Sequence, residues 1–374
     1  MRYFFFITFL FYSSSIFAID TKANEAIVID YNTNEVLFEK NSDSKISPAS
    51  LTKIMTVYVV FDRINNSSLT TQDNCTVSSK AYKIGGSRMF LEIDKKVSIE
   101  DLLRGIIIQS GNDASIAIAE CLSGTENDFA ILMNQYAREL GMLNTNFTNA
   151  SGWPEENHFS TVRDIGILSN NLIKNFPESY NYFNETTFTY NEIKQPNRNK
   201  LLSHVDGSDG LKTGYTKDSG WGIAGSSLRN ERRITVVISG TNSSRSRLNE
   251  SSNLINWAFR ETTEKQILKK NQVIKTIDTW LGNKSNVDMI VKENFNTIVS
   301  FDQIKLIKSS IEYQNPLPAP IEKGQEIGKI IILIPGKDKI SIPLVSNKDV
   351  KLINPLFRFF AAAKYLIFGN TLND

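Results

Sequence analysis

The sequence predicts a two-domain protein, an α/β domain followed by a β-rich one, and three observations carry the prediction. The chain has 374 residues, which at about 150 residues per domain is room for roughly two or three. Over residues 24–260 short β-rich runs alternate with helical stretches, and no proline interrupts the sequence between Pro48 and Pro154. Beyond residue 265 the character changes: six of the ten prolines lie from Pro316 onward, among β-branched runs such as 330–334 and the alternating 340–344.

Taken in order, residues 1–18 combine Met1-Arg2, an apolar run over 3–12 and the small residues that precede Ala18, the layout of a secretory signal peptide cleaved after Ala18. The apolar run is about half the ~20 residues needed to span a bilayer. Residues 26–30 and 36–39 flank the turn formers Asn32-Thr33-Asn34 and read as a hairpin. Residues 54–61 are apolar nearly all round and read as a buried helix. A helical stretch over 99–108 has Ser98 and Asp101 as its capping pair, and a further helix covers about 113–122. The boundary falls near 262–270, where a charged segment follows the apolar 254–259. The expected division is therefore a signal peptide over 1–18, a first domain over 19–262, a β-rich domain over 263–352 and a terminal segment over 353–374.

Within that last segment, 355–368 is mostly apolar or aromatic, with Arg358 and Lys364 as its only charges, Pro355 at its start and Gly369 just past its end. As a helix it would be about 21 Å long against about 30 Å of hydrocarbon, too short to cross. It reads as a helix lying in a membrane interface; a helix docked on the protein's own core is the alternative.

Composition narrows the function. Lys+Arg 42 against Asp+Glu 40 leaves +2, too little for a protein that binds nucleic acid by neutralising phosphates. Two Cys and two His exclude a disulfide-rich scaffold and the usual Cys/His zinc clusters. Cys75 and Cys121 read as two buried free thiols, with a bridge as the alternative in an oxidising compartment.

Three short motifs carry chemistry. In Pro48-Ala49-Ser50-Leu51-Thr52-Lys53, Ser50 and Lys53 are spaced to stack on one helix face. A buried Lys has its charged form disfavoured and becomes available as a base, and a Ser at a helix N-terminus has backbone N–H groups aimed at a developing oxyanion. Ser110-Gly111-Asn112 lies between two helices, where locally it also fits a simple linking turn. Lys212-Thr213-Gly214 follows the turn-rich 206–210 and starts a strand whose Gly leaves room for a substrate backbone alongside.

In this order and spacing the motifs match the set of penicillin-binding proteins and class A β-lactamases. The chain resembles the low-molecular-mass penicillin-binding proteins that act as D-alanyl-D-alanine carboxypeptidases. The resemblance rests on 48–56 (PASLTKIMT), 86–91 (GSRMFL), 110–114 (SGNDA), 149–164 (NASGWPEENHFSTVRD), 209–216 (DGLKTGYT) and 245–251 (RSRLNES), with the Pro-rich 316–320 and the terminal helix matching that family's C-terminal domain and anchor. It implies a serine β-lactamase/DD-peptidase-like fold, an antiparallel sheet with helices, followed by the β-rich domain.

The resemblance also implies roles. Ser50 is expected to be the nucleophile, acylated by the penultimate D-Ala of a peptidoglycan stem pentapeptide, with Lys53 its general base. Ser110 and Asn112 are expected to relay protons and bind the substrate amide. Lys212 supports them, Thr213 and Arg247 hold the terminal carboxylate, and Gly214 and Tyr215 complete the binding strand. The oxyanion hole falls to the N–H groups of Ser50 and Tyr215, and His158 is expected to support the site from behind. Two departures stand out: the bulky Tyr215 after Gly214, and Glu155 and Glu156, whose spacing differs from that of a β-lactamase deacylating Glu. The expected partners are the stem pentapeptide, β-lactams as covalent inhibitors and a membrane surface, with no nucleic acid and no metal or other cofactor. The expected location is the periplasmic face of the cytoplasmic membrane, as a peripheral protein. A β-lactamase of the same fold and an inactive peptidoglycan-binding scaffold are the alternatives.

Overall fold

A computed structural model describes residues 19–355 together with 357, 359 and 360. The signal-peptide reading of 1–18 and most of the anchor reading of 355–368 lie outside the described residues. The chain divides into two compact units, Met1–Phe259 and Arg260–Asp374.

The first unit opens on the expected hairpin, β1 (Glu25–Asp30) and β2 (Val36–Lys40). A 3₁₀ turn, Ala49–Thr52, runs directly into α1 (Lys53–Asn66). The short elements β3 (Asn74–Thr76), α2 (Ser79–Lys83) and β4 (Lys96–Ser98) precede α3 (Ile99–Arg104). A single π turn, Gly105–Gln109, separates α3 from α4 (Asn112–Ser123), which α5 (Glu126–Glu139) and α6 (Val162–Asn175) follow. A second hairpin, β5 (Thr187–Tyr190) and β6 (Ile193–Pro196), and the one-turn helix α7 (Leu201–His204) lead into the long strands β7 (Ser208–Thr216), β8 (Gly220–Arg229) and β9 (Arg232–Thr241), and α8 (Ser244–Glu261) closes the unit.

The main sheet has the order β2-β1-β9-β8-β7, antiparallel throughout. Its strands are apolar on both faces, and the two-residue period of a strand sends alternate side chains to different cores. Ile27, Ile29 and Val237 join α1 and α6 on one face, while Ala26, Val28, Val236 and Ile238 meet Leu254, Ile255 and Ala258 of α8 on the other. Burying each such Ile or Leu contributes about 1.5–3 kcal/mol. In α1, residues 54–61 are all buried, as their all-round apolarity predicts. β7 ends the sheet, so among the described residues one of its edges has no strand beside it.

The second unit is almost wholly β. It contains β10 (Thr262–Leu268), β11 (Val273–Trp280), β12 (Asn286–Val291), β13 (Phe295–Ser300), the short α9 (Phe301–Ile304), β14 (Lys308–Tyr313), β15 (Leu317–Pro318), β16 (Glu326–Leu333) and β17 (Ile340–Ser346). A pair β10-β13 accompanies a six-stranded sheet of order β14-β16-β17-β12-β11-β15. Val287, Met289 and Val291 from alternate positions of β12 pack with Ile330, Ile332 and Leu344.

One expectation fails. Cys75 and Cys121 are not free thiols: they form a disulfide between β3 and the last turn of α4, with Cα atoms 5.4 Å apart. Nor are both buried, since Cys75 is enclosed while Cys121 lies at the surface.

Candidate active site

Ser50 sits in the 3₁₀ turn and Lys53 is the first residue of α1, so the three-residue spacing does bring them together: Lys53 Nζ is 3.0 Å from Ser50 Oγ. Ala49, just before the serine, holds a left-handed backbone with φ 49°, a conformation that costs a non-glycine residue about 1–2 kcal/mol. Packing of the surrounding chain holds that turn. Gly152, itself at φ 75°, lies so close that a Cβ there would overlap Ala49 O, which is why only glycine fits.

Lys53 is fully buried, and its Nζ also contacts Asn112 Oδ1 at 2.8 Å and Ser151 O at 2.5 Å. A neutral amine has two N–H donors and one lone pair. Asn112 and Ser151 accept both donors, which leaves the lone pair facing the Ser50 hydroxyl. Burial, and next the charge of Arg198, lower its pKa to about 7, against the opposing pull of Asp113 and Glu126.

The second motif owes its placement to the π turn. α3 begins under the predicted Ser98 cap, whose Oγ accepts from Asp101 N at 3.1 Å, and then widens over Gly105–Gln109 before Ser110 turns left-handed at φ 67°. A π turn carries an extra residue within the helical path. Here it sets Ser110 in the cleft wall and Asn112 at the head of α4, under Lys53. Asn112 Nδ2 donates to Gly85 O at 2.9 Å and its backbone N–H to Ser87 O at 2.7 Å. The next residue, Asp113, accepts from the backbone N–H groups of Met89, Phe90 and Leu91 at 3.0, 3.0 and 3.2 Å. Together these bonds explain the 86–91 motif: α4 holds this segment in place, with Gly86 and Ser87 in the cleft wall.

The third motif lies in the middle of β7 rather than at its start. Lys212 is 2% exposed, and burial, then the charges of Lys53, Arg198 and Arg247, push its pKa well down. Gly214 lets β7 approach the nucleophile's turn, since a Cβ there would be 3.1 Å from Pro48 O and 3.3 Å from Ala49 Cβ. Thr213 and Tyr215 line the cleft, and Tyr215 packs on Trp221 at 4.3 Å between ring centroids. Arg247, near the start of α8, lies over Trp221 at 5.2 Å and reaches Gly214 O at 3.4 Å. Burial and Arg198 lower its pKa to about 10.

His158 does not reach the cleft. Its Nδ1 accepts from Thr148 N at 3.0 Å, so Nδ1 carries no proton and Nε2–H donates to Thr52 Oγ1 at 2.9 Å. Burial, then Lys53, push its pKa down to about 4, so the ring is neutral and fixes the turn that carries Ser50. Glu155 and Glu156 are exposed and stand outside the cleft lining.

All of the expected site residues except Lys53 and Lys212 line one cleft of about 840 Å³, and those two are buried directly behind it. Sequence reasoning missed Arg198, Trp153 and Ser151. Arg198 had no motif around it; Trp153 and Ser151 lay inside a quoted segment, but only the fold shows that Asn149 Oδ1, accepting from Ser151, Gly152 and Trp153 N–H groups, curls that segment into the cleft wall. Among the described residues the lining carries four cations, Arg198, Lys200, Lys217 and Arg247, and no carboxylate. The cleft is built for an anion.

Comparison with known proteins finds relatives over most of the chain. Residues 13–243 match the family described as D-alanyl-D-alanine carboxypeptidase, and 263–352 match the C-terminal domain of penicillin-binding protein 5. D-alanyl-D-alanine carboxypeptidase DacC of Escherichia coli is 39% identical over 333 residues, covering 87% of this chain and 83% of that protein. The crystal structure of penicillin-binding protein 5 from Haemophilus influenzae superposes with a TM-score of 0.77 at 34% identity, covering 89% of this chain and 99% of that one. Penicillin-binding protein D2 of Listeria monocytogenes, in an ampicillin-bound form, gives 0.60 at 29% identity over 65% of this chain and 100% of its own.

Proposed function

The chain belongs to the D-alanyl-D-alanine carboxypeptidase family, and from that premise we propose how its residues divide the reaction. The enzyme is a serine-type carboxypeptidase that removes the terminal D-Ala from peptidoglycan stem pentapeptides through an acyl-enzyme. Ser50 Oγ attacks the penultimate D-Ala carbonyl as Lys53 Nζ takes its proton, and the N–H groups of Ser50 and Tyr215 receive the oxyanion. The proton passes by way of Ser110, beside Lys212, to the leaving D-Ala nitrogen. Asn112 holds the substrate amide and orients Lys53. Thr213 and Arg247 bind the terminal carboxylate. Water then cleaves the ester, with Lys53 again accepting a proton.

The observation that carries this reading is the Lys53 amine, buried, shifted to about 7 and 3.0 Å from Ser50 Oγ. A general base works best with a pKa near the working pH. The carboxylate-free lining speaks against a β-lactamase that uses a Glu to deacylate, and β-lactams are accordingly read as slowly released covalent inhibitors. The test is mass spectrometry of the protein with a synthetic pentapeptide and with penicillin: D-Ala release and a penicilloyl adduct on Ser50 are expected, and neither with Ser50→Ala. An adduct that persists on the Ala variant would overturn the assignment.

The compartment belongs to the same proposal. The 1–18 leader supports export, and 355–368 supports peripheral attachment to the outer face of the cytoplasmic membrane. Of the latter's aromatics, the described Phe357, Phe359 and Phe360 are 64, 73 and 62% exposed, which favours an interfacial helix over a docked one.

A further inference from the structure

The roles just given to Ser50, Thr213, Tyr215 and Arg247 bear on the third residue of the stem, and the inference rests on them. β7 ends its sheet, so an extended peptide can lie along its free edge. Those roles fix the peptide's direction. With the terminal carboxylate at Thr213 and the scissile carbonyl at Tyr215, the earlier residues of the stem run toward the end of β7, antiparallel to it. The residue before the penultimate D-Ala then lies beside Thr216 and Lys217.

Two further observations converge on Lys217. The two-residue period of a strand places Thr213 and Tyr215 on one face; Lys217 is the first residue of the turn that follows β7, and all three line the cleft. At the end of the strand Thr216 is buried between the exposed Tyr215 and Lys217, while Thr213 is buried deeper in the cleft. The turn that carries Lys217 is held from both sides, since Thr216 Oγ1 accepts from Ser219 N at 3.0 Å and lies 2.5 Å from Ser219 Oγ. Lys217 makes no ion pair among the described residues. Its acidic neighbour Asp218 is exposed and does not line the cleft.

We propose that Lys217 is a specificity-determining residue, selecting stem peptides whose third residue ends in a free carboxylate over those that offer an amide or only an amine there. A side-chain carboxylate reaching the cleft mouth meets Lys217 and no negative charge in the lining. A lone amine at the same place meets only like charge.

The experiment compares three synthetic pentapeptides that differ at the third side chain: a diamino acid with a free carboxylate, the same residue with that carboxylate amidated, and lysine. kcat/KM for D-Ala release is measured with the unaltered enzyme, Lys217→Gln and Lys217→Glu. For an exposed pair the carboxylate peptide should lead by about threefold to fivefold, and the lead should shrink at high salt. Lys217→Gln should erase it and Lys217→Glu reverse it. The rate of penicillin acylation, which involves no third residue, should not change in parallel with the peptide rates in either variant. Equal kcat/KM for the three peptides, a lead that survives Lys217→Gln, or a parallel loss of penicillin acylation would each overturn the proposal. Failure to release D-Ala from any peptide would instead overturn the reading on which it rests.

Discussion

Asn112 and Ser151 accept hydrogen bonds from the Lys53 amine at 2.8 and 2.5 Å, so that in its neutral form the amine has its lone pair left for Ser50 Oγ, 3.0 Å away. In the proposed reaction, where Lys53 is the base, its protonation state is the main control on acylation.

With Lys53 shifted down to about 7 by burial, only the neutral form can accept the serine proton. The rate constant for penicillin acylation should therefore rise with pH, about tenfold per unit below 7, and level off above it. Lys53→Arg should abolish acylation at every pH although charge is kept, because Arg is not deprotonated in proteins. A flat profile from pH 5.5 to 8.5 would remove Lys53 from the base's role.

In the proposed reaction Arg247 holds the terminal carboxylate by paired, charge-assisted hydrogen bonds. Arg247→Ala should lower kcat/KM for a free-acid pentapeptide by about 10- to 100-fold. The same peptide with an amidated end should change by less than about threefold. Equal losses on the two substrates would mark Arg247 as structural.

The Cys75–Cys121 bond closes a loop of 46 residues by sequence separation, and such a cross-link stabilises by about 2–4 kcal/mol. Cys121→Ser should lower the unfolding free energy by that amount in urea titrations. Acylation at 25 °C should persist, because the bond meets α4 at the end opposite Asn112. If dithiothreitol leaves the midpoint of the unaltered protein where it was, the bond contributes nothing.

Truncation after Asn354 should release the protein from the membrane fraction and leave D-Ala release intact, since every residue of the cleft lies in the first unit. A truncated protein that still sediments with membrane would refute the anchor; one that is released but misfolded would support a docked helix.

The candidate site was legible because its residues sit in short, local patterns. Ser50 and Lys53 are one helical step apart, the Ser98 cap and the buried 54–61 helix follow from spacing, and the change to a β-rich unit follows from proline and β-branched content. The features that escaped depend on long-range closure. Cys75 and Cys121 meet only when β3 packs beside α4, and nothing in either residue's neighbourhood encodes that. Arg198 is a lone cation on a connection until the fold carries it to the cleft, where its field lowers the pKa of Lys53, Lys212 and Arg247. His158 was expected behind the site, yet its neutral tautomer is set by the Thr148 N–H that it accepts.

The widened turn at Gly105–Gln109 constrains how this sequence can vary. Each residue added to or removed from a helix rotates the chain beyond it by about 100°. Deleting one of Ile106, Ile107 or Ile108 would thus swing Ser110 and Asn112 out of place while leaving every site residue present in the sequence. Exchanging one of these isoleucines for valine or leucine would cost only packing. In lineages descended from this chain, the segment should therefore drift in composition and stay invariant in length.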